Sequence, residues 1–247
     1  MVSPALAGVF RSLRLYRGDD ARHAAMDRLH ARFLRPGDLA FDVGAHVGDR
    51  VASFRRLGAR VVALEPQPLC HRALRLLHGR DPGVTLLRQA AGAARGRIEF
   101  LVNRANPTVS TAAPDFVAAA AGAAGWEGQV WDGRIEVEVT TLDALIARYG
   151  TPRFVKIDVE GFEAQVLRGL SVALPALSFE FTTIQRAAAE VCIDLVAGLG
   201  PCRFDAALGE SQRFEFGEPV DAAGLKSWLR ALPHAANSGD IYALRDG

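Results

Sequence analysis

Five short apolar runs recur along this chain: "LAFDVG" (Leu39–Gly44), "RVVALEP" (Arg60–Pro66), "VTLLRQA" (Val84–Ala90), "VKIDVEGFE" (Val155–Glu163) and "ALSFEFT" (Ala176–Thr182). Each has the length of a strand and begins rich in β-branched or aromatic residues. Several are continuously apolar, as in a parallel sheet covered on both faces. Between them lie segments with helical spacing at Val47–Leu57, Pro68–His78, Thr141–Gly150 and Ala164–Gly169. Strands alternating with helices imply an α/β sheet with helices on both faces.

The flanks extend this pattern. Ala21–Phe33 has helical spacing, and "RPGD" breaks it. Thr141 is placed to cap the helix that Gly150 stops. Arg186–Leu199, "CRFDAAL", a helix around Ala222–Leu232 and "DIYALRD" complete the chain. With 247 residues, no internal repeat and no linker, one domain over 1–247 is the simpler reading, residues 1–36 forming an N-terminal helical extension.

The rhythm changes after the third run. "GRIEFLV" (Gly96–Val102) and "GRIEVEV" (Gly133–Val139) alternate, as strands with one wet face do. They define a small β insert over 96–139. The stretch Asn103–Asp132 between them is long for a connector and is a candidate lid over an acceptor. Its "FVAAAAGAAG" can hold a short helix. Trp126 and Trp131 are available to stack on a sugar or apolar product, and "NPTVST" (Asn106–Thr111) offers hydroxyls and amides.

Charge and cysteines narrow the partners. A formal charge of +1 gives no electrostatic case for nucleic acid. Cys70, Cys192 and Cys202 are scattered, which suggests a reducing, cytoplasmic setting. No apolar run approaches the ~18 residues that span a bilayer. In the N-terminal segment Arg11, Arg14 and Arg17 follow the apolar part, the wrong order for a signal peptide. A solvated or frayed segment is expected there, with a basic amphipathic segment that touches a membrane or an acidic partner as the alternative.

Ligands of open α/β sheets bind outside the carboxyl ends of the strands. The first run ends in Asp42-Val43-Gly44-Ala45-His46, followed by Gly48. The glycines allow a tight turn and close backbone approach, and a helix begins just after. The spacing is not the dinucleotide fingerprint. A carboxylate at Asp42 repels a pyrophosphate but accepts hydrogen bonds from an ammonium or hydroxyl group. That favours a cationic nucleoside cofactor without phosphates, S-adenosylmethionine being the candidate. Glu65, followed by Pro66, ends the second run at the spacing of a ribose-hydroxyl acceptor. The third run ends at Gln89-Ala90, and the Gln89 amide is suited to an adenine edge.

With these landmarks in place, the chain resembles the FkbM-type methyltransferases, a branch of the class I S-adenosylmethionine-dependent enzymes. The matching pieces are "FDVGAHVG", "VVALEPQP", "RQAAGAARGRIEFL", "VTTLDAL" and "FVKIDVEGFEAQVLRG", across Leu39–Gly169. The resemblance implies a Rossmann-like, mostly parallel seven-stranded sheet whose last strand, "DIYALRD", is antiparallel. It also implies methyl transfer, usually to a hydroxyl of a glycan, lipid-linked or polyketide-type acceptor. The family commonly has Asn where this chain has His46. Both residues tolerate a left-handed backbone.

If the acceptor is a hydroxyl, a base must take its proton. Asp158 ranks first, at the end of the fourth run facing both cofactor and acceptor, followed by Glu160 and by Glu180 on the next run. Lys156 either holds one of these carboxylates ionised or forms a structural salt bridge. Glu163 is expected to face solvent or cap the following helix. His46 reads as a loop residue rather than a base. Asp158 and Glu160 offer oxygen ligands that suit magnesium, and no His/Cys cluster supports zinc; the expectation is a reaction without metal. Two other readings stay open: a nucleotide-dependent oxidoreductase, and a non-catalytic Rossmann-like domain.

Overall fold

A computed structural model describes residues 3–16 and 18–245. Met1, Val2, Arg17, Asp246 and Gly247 lie outside the described residues, so the readings that touch Arg17 and the end of "DIYALRD" do too. The main sheet contains β1 (Leu39–Val43), β2 (Arg60–Leu64), β3 (Val84–Leu87), β7 (Phe154–Ile157), β8 (Ala176–Thr182), β9 (Arg203–Leu208) and β10 (Ser238–Leu244). Its order is β3-β2-β1-β7-β8-β10-β9, with β10 antiparallel to both neighbours, as expected for the last strand. The chain builds outward from β1 to β3 and then returns to place β7 on the other side of β1. That reversal opens a crevice at the carboxyl ends of β1 and β7.

Period-two alternation sends neighbouring residues to opposite faces. Phe41, Val43, Val155, Ile157, Phe179 and Ile241 pack on one side. There they meet α6 (Leu142–Tyr149), α7 (Glu163–Arg168), α8 (Arg186–Gly198) and α9 (Ala222–Ala231). Ala40, Val61, Ala63, Phe154 and Tyr242 face the other side. They pack against α2 (Asp20–His30), α3 (Asp49–Arg56) and α4 (Pro68–His78). Phe41, Phe154, Phe179 and Phe204 are fully buried, each worth roughly 1.5–3 kcal/mol.

The register explains the charge on the fourth run. Asp42 lies beside Lys156, both on the face shared with Ala40 and Phe154. Their partners Val43 and Ile157 anchor the opposite face. β7 ends at Ile157, so Asp158 opens the following loop instead of continuing the strand.

A second sheet has the order β4-β6-β5, from β4 (Ala90–Ala91), β5 (Gly96–Val102) and β6 (Gly133–Thr140). The expected third run is therefore divided: β3 stops at Leu87, and Ala90 joins the second sheet beside Val139. Residues 103–132 are not structureless. They hold a one-turn 3-10 helix at Pro107–Val109 and α5 (Pro114–Ala120).

The N-terminus also differs from the expected frayed segment. It forms α1 (Pro4–Tyr16), whose Val9 is buried against Val47, Cys70 and Ala73. Burying this apolar stripe ties the helix down. Among the described residues, no helix is long and apolar enough to cross a membrane.

Candidate active site

The crevice is a cleft of about 910 Å³, counting its open mouth. Its floor is the turn after β1. Gly44 has φ +89°, and a Cβ on it would lie 1.7 Å from the Asp158 carbonyl oxygen. Only glycine lets the two strand ends approach so closely. His46 adopts the left-handed conformation at φ 47°. Its N–H donates to Glu65 Oε2 at 2.9 Å, and the Gln67 N–H donates to Glu65 Oε1 at 2.8 Å. Glu65 thus joins the loops after β1 and β2. Gln67 in turn donates its side-chain amide to the Pro107 carbonyl, at 3.0 Å.

Two acids on this floor are tuned by burial. Asp42 is 1 % exposed, and its Oδ2 has no hydrogen-bond partner among the described residues. Loss of solvent pushes its pKa up to about 7. Burial pushes Glu65 up to about 8, against the two backbone donors that favour its charge. Burial also lowers His46 to about 4, so this imidazole is neutral near pH 7.

The second wall is the loop after β7. Lys156, 1 % exposed, donates to Asp158 Oδ2 at 3.0 Å and to Asp240 Oδ1 at 2.7 Å. Burial alone would raise Asp158, but Lys156 and then Arg50 outweigh it and hold the carboxyl below its usual range. Glu160 and Glu180 move the other way. Burial raises both well above the usual range, and the nearby charge of Asp158 adds to this. Carboxyl oxygens of Asp158, Glu160 and Glu180 all lie within 4.8 Å of one another. Charge is favoured on Asp158 and disfavoured on Glu160 and Glu180, so the three carboxyls titrate as interacting groups. Among the described residues this set is the one His/Cys/Asp/Glu group close enough to hold a metal ion, and its all-oxygen donors suit magnesium rather than zinc.

Backbone geometry fixes this wall. Glu160 has φ 56° and Gly161 φ 89°. Thr111 Oγ1 donates to the Glu160 carbonyl at 2.7 Å, fastening the insert to the loop. Of the two placements expected for Glu163, facing solvent or capping the next helix, the solvent-facing one does not hold. The side chain is buried, and its Oε1 accepts the N–H groups of Val159 and Gly161 at 3.0 and 3.3 Å. Those amides have no strand to pair with, so a buried carboxylate satisfies them.

The cleft gathers most of the residues singled out in the sequence. Asp42, Val43, Gly44, Ala45, His46, Glu65, Pro66, Gln89, Ala90, Asp158 and Glu160 line it. Gly48 instead starts α3 at φ +91°. Lys156 and Glu180, both expected at the site, do not line the cleft; Glu180 borders a separate small cavity with Glu163 and Gln185. Gln89 reaches the cleft, but its amide donates to Glu138 Oε2 at 3.0 Å. The tryptophans do not line it. Trp126 and Trp131 pack edge-on against Phe116, and Trp131 Nε1 donates to the Val109 carbonyl at 2.8 Å. They stabilise the insert, whose Thr108 and Ser110 do reach the cleft.

One part of the wall was missed in the sequence. Asp49, Arg50 and Glu210 line the cleft. Arg50 contacts Asp49 at 3.1 Å and Glu210 at 3.3 Å, and Arg22 contacts the same two acids at 2.7 and 3.0 Å. Asp49-Arg50 directly follow the Gly48 turn, which is a signal of sorts. Nothing in the sequence marked Glu210, far along the chain.

A family model described as the methyltransferase FkbM domain matches residues 42–193. The hexuronic acid methyltransferase AglP of Haloferax volcanii is 28% identical over 167 residues, covering 66% of this chain. The chain spans 58% of that relative's length. Solved structures with a similar course include a TehB-like SAM-dependent methyltransferase from Corynebacterium glutamicum. It is 9% identical, with a TM-score of 0.49 over 96% of this chain and 94% of that one. Another is an O-methyltransferase from Bacillus cereus in complex with SAH: 10% identical, TM-score 0.47, covering 99% and 92%. The fold rests on the strand order above rather than on these likenesses.

Proposed function

Because the chain belongs to the FkbM methyltransferase family, we propose that it transfers a methyl group from S-adenosylmethionine to a hydroxyl oxygen. The acceptor we propose is a glycan, a lipid-linked glycan or a polyketide-type product. One observation carries this reading: an ionised carboxylate, Asp158, opens on the same cleft as Asp42 and Glu65.

The residues present fit the cofactor. Asp42 has a buried oxygen without a partner among the described residues, the kind of acceptor an ammonium group satisfies. Glu65 uses each oxygen for one backbone donor and keeps lone pairs for ribose hydroxyls. The turn at Gly44 and His46 lets backbone approach closely. In this reading Gln89 and Ala90 border the adenine. S-adenosylmethionine, when bound, supplies a methyl group on a positively charged sulfur.

The chain's own work is positioning and proton handling. Asp158 accepts a hydrogen bond from the acceptor hydroxyl and takes its proton as the oxygen gains the methyl carbon. Lys156 keeps Asp158 ionised. Burial disfavours charge on Glu160 and Glu180, so Asp158 is the member of the three placed to receive the proton. A distant relative named for a hexuronic acid supports a sugar-type acceptor.

The test is an acceptor screen read by mass spectrometry for the gain of one methyl group, with fragmentation to place it on oxygen. Asp158→Ala is expected to lose turnover and keep most cofactor affinity. Asp42→Ala and Glu65→Ala are expected to lose affinity. Equal affinity loss in all three removes the assignment of Asp158.

A further inference from the structure

Helix α1 is amphipathic, and only one of its faces is spoken for. Val9 and Ser12 are buried and Leu13 partly so, on the side that meets α4, Val47 in the turn before α3, and the 3-10 turn Pro107–Val109. The opposite arc exposes Leu6, Phe10 and Leu15 together with Arg11 and Arg14. Phe10 is 53 % exposed, although leaving such a ring in water is unfavourable.

The neighbouring helix has the same character. α4 exposes Arg72, Arg75 and Leu76, the last at 81 %. Neither helix contains an acid. The nearest in sequence lie beyond their ends: Asp19 after α1, and Glu65 and Asp81 on either side of α4, Glu65 being buried in the cleft floor. Over the whole chain 29 bases face 28 acids, so the excess of positive charge here is local. Exposed apolar side chains interleaved with arginines fit a surface that is negative at its outer layer and apolar beneath.

We propose that the exposed face of α1, extended by α4, docks on an anionic lipid surface. The position gives this a purpose. A Cβ on Gly8 would lie 2.7 Å from Pro107 Cδ, so α1 sits hard against the turn that leads into Thr108 and Ser110 of the cleft. Arg11 also donates to the Ala105 carbonyl at 3.3 Å. The docked protein holds the rim of its cleft near the lipid, where a lipid-linked acceptor is presented. The docking itself does not depend on the methyl-transfer reading, because its readout is vesicle binding.

The test is co-sedimentation of the full chain with phosphatidylcholine vesicles, with and without phosphatidylglycerol as the minor component. Binding is expected only to the mixed vesicles and is expected to weaken as salt is raised. Each arginine near such a surface is worth about fivefold in partitioning, so Arg14→Glu is expected to lower it by roughly 25-fold. Phe10→Ser is expected to lower it several-fold. Both side chains are exposed, and unchanged melting temperatures verify the fold. Inorganic phosphate at matched ionic strength is expected to leave vesicle binding in place; full competition would assign the arginines to free phosphate instead. Equal partitioning of wild type and both variants overturns the proposal. So does a dimer in light scattering that Phe10→Ser abolishes, which would give the face to a second copy.

Discussion

Replacing Gly44 with alanine tests how the cleft floor is built. The added Cβ would lie 1.7 Å from the Asp158 carbonyl oxygen and 2.8 Å from its carbon. Ordinary carbon–oxygen contacts begin at about 3.3 Å, so one strand end must retreat by roughly 1.5 Å. The obstacle is backbone, held by the Asp158 N–H on the Val43 carbonyl at 2.9 Å, and no side chain can swing aside. The left-handed conformation costs an alanine ~1–2 kcal/mol, and overpacking adds ~1–3 kcal/mol. At about 2–4 °C per kcal/mol, the melting temperature is expected to fall by ~4–20 °C. Gly122 is the control. It also has positive φ, +77°, but nothing lies within 4 Å of its Cβ position, so Gly122→Ala carries only the conformational cost. Affinity for S-adenosylhomocysteine, by calorimetry, is expected to fall in Gly44→Ala, whose displaced strand end lines the cleft, and to hold in Gly122→Ala. If the two variants melt together and both bind as wild type, the close approach of the strand ends does not matter and the reasoning fails.

Lys156→Met leaves Asp240 buried without its cation, a loss of about 3–5 kcal/mol, to be read in urea unfolding; wild-type stability would show that the ion pair is dispensable. A pH series tests the floor acids. In the free protein Asp42 and Glu65 hold protons up to about 7 and about 8. Because these pKa values are raised on folding, the stability they contribute is complete below the usual carboxylate range and lost as pH rises through 7 to 8. A ligand that pairs with the ionised forms shows the opposite trend. Affinity for S-adenosylhomocysteine is expected to increase over the same interval with proton release, seen as a dependence of binding heat on the buffer. Binding without proton release would remove Asp42 as the ammonium partner.

The parts legible in the sequence are those set by local pattern. Pro68–His78 and Ala176–Thr182 follow from periodicity and punctuation, and the structure has them with the same bounds. Asp42, Glu65 and Asp158 could be brought to one place because the strand ends of a parallel sheet share an edge. The rest depended on partners distant in the chain. Ala90 leaves the third strand because Val139 pairs with it. Glu163 turns inward because the Val159 and Gly161 amides need an acceptor. The tryptophans were read as stacking surfaces, yet Phe116 claims them. Glu210 reaches the cleft through Arg22 and Arg50, and no spacing encodes that meeting.

The central claim is that one cleft holds the nucleoside on Glu65 and turns the reactive sulfur toward Asp158 and Glu160. A crystal structure of the protein soaked with S-adenosylhomocysteine tests it most directly. The expected result is ribose hydroxyls within hydrogen-bond distance of the Glu65 carboxylate, the amino group at Asp42, and the sulfur facing the Asp158–Glu160 wall. A ligand bound elsewhere, or one in this cleft with its sulfur turned away from Asp158, would contradict it.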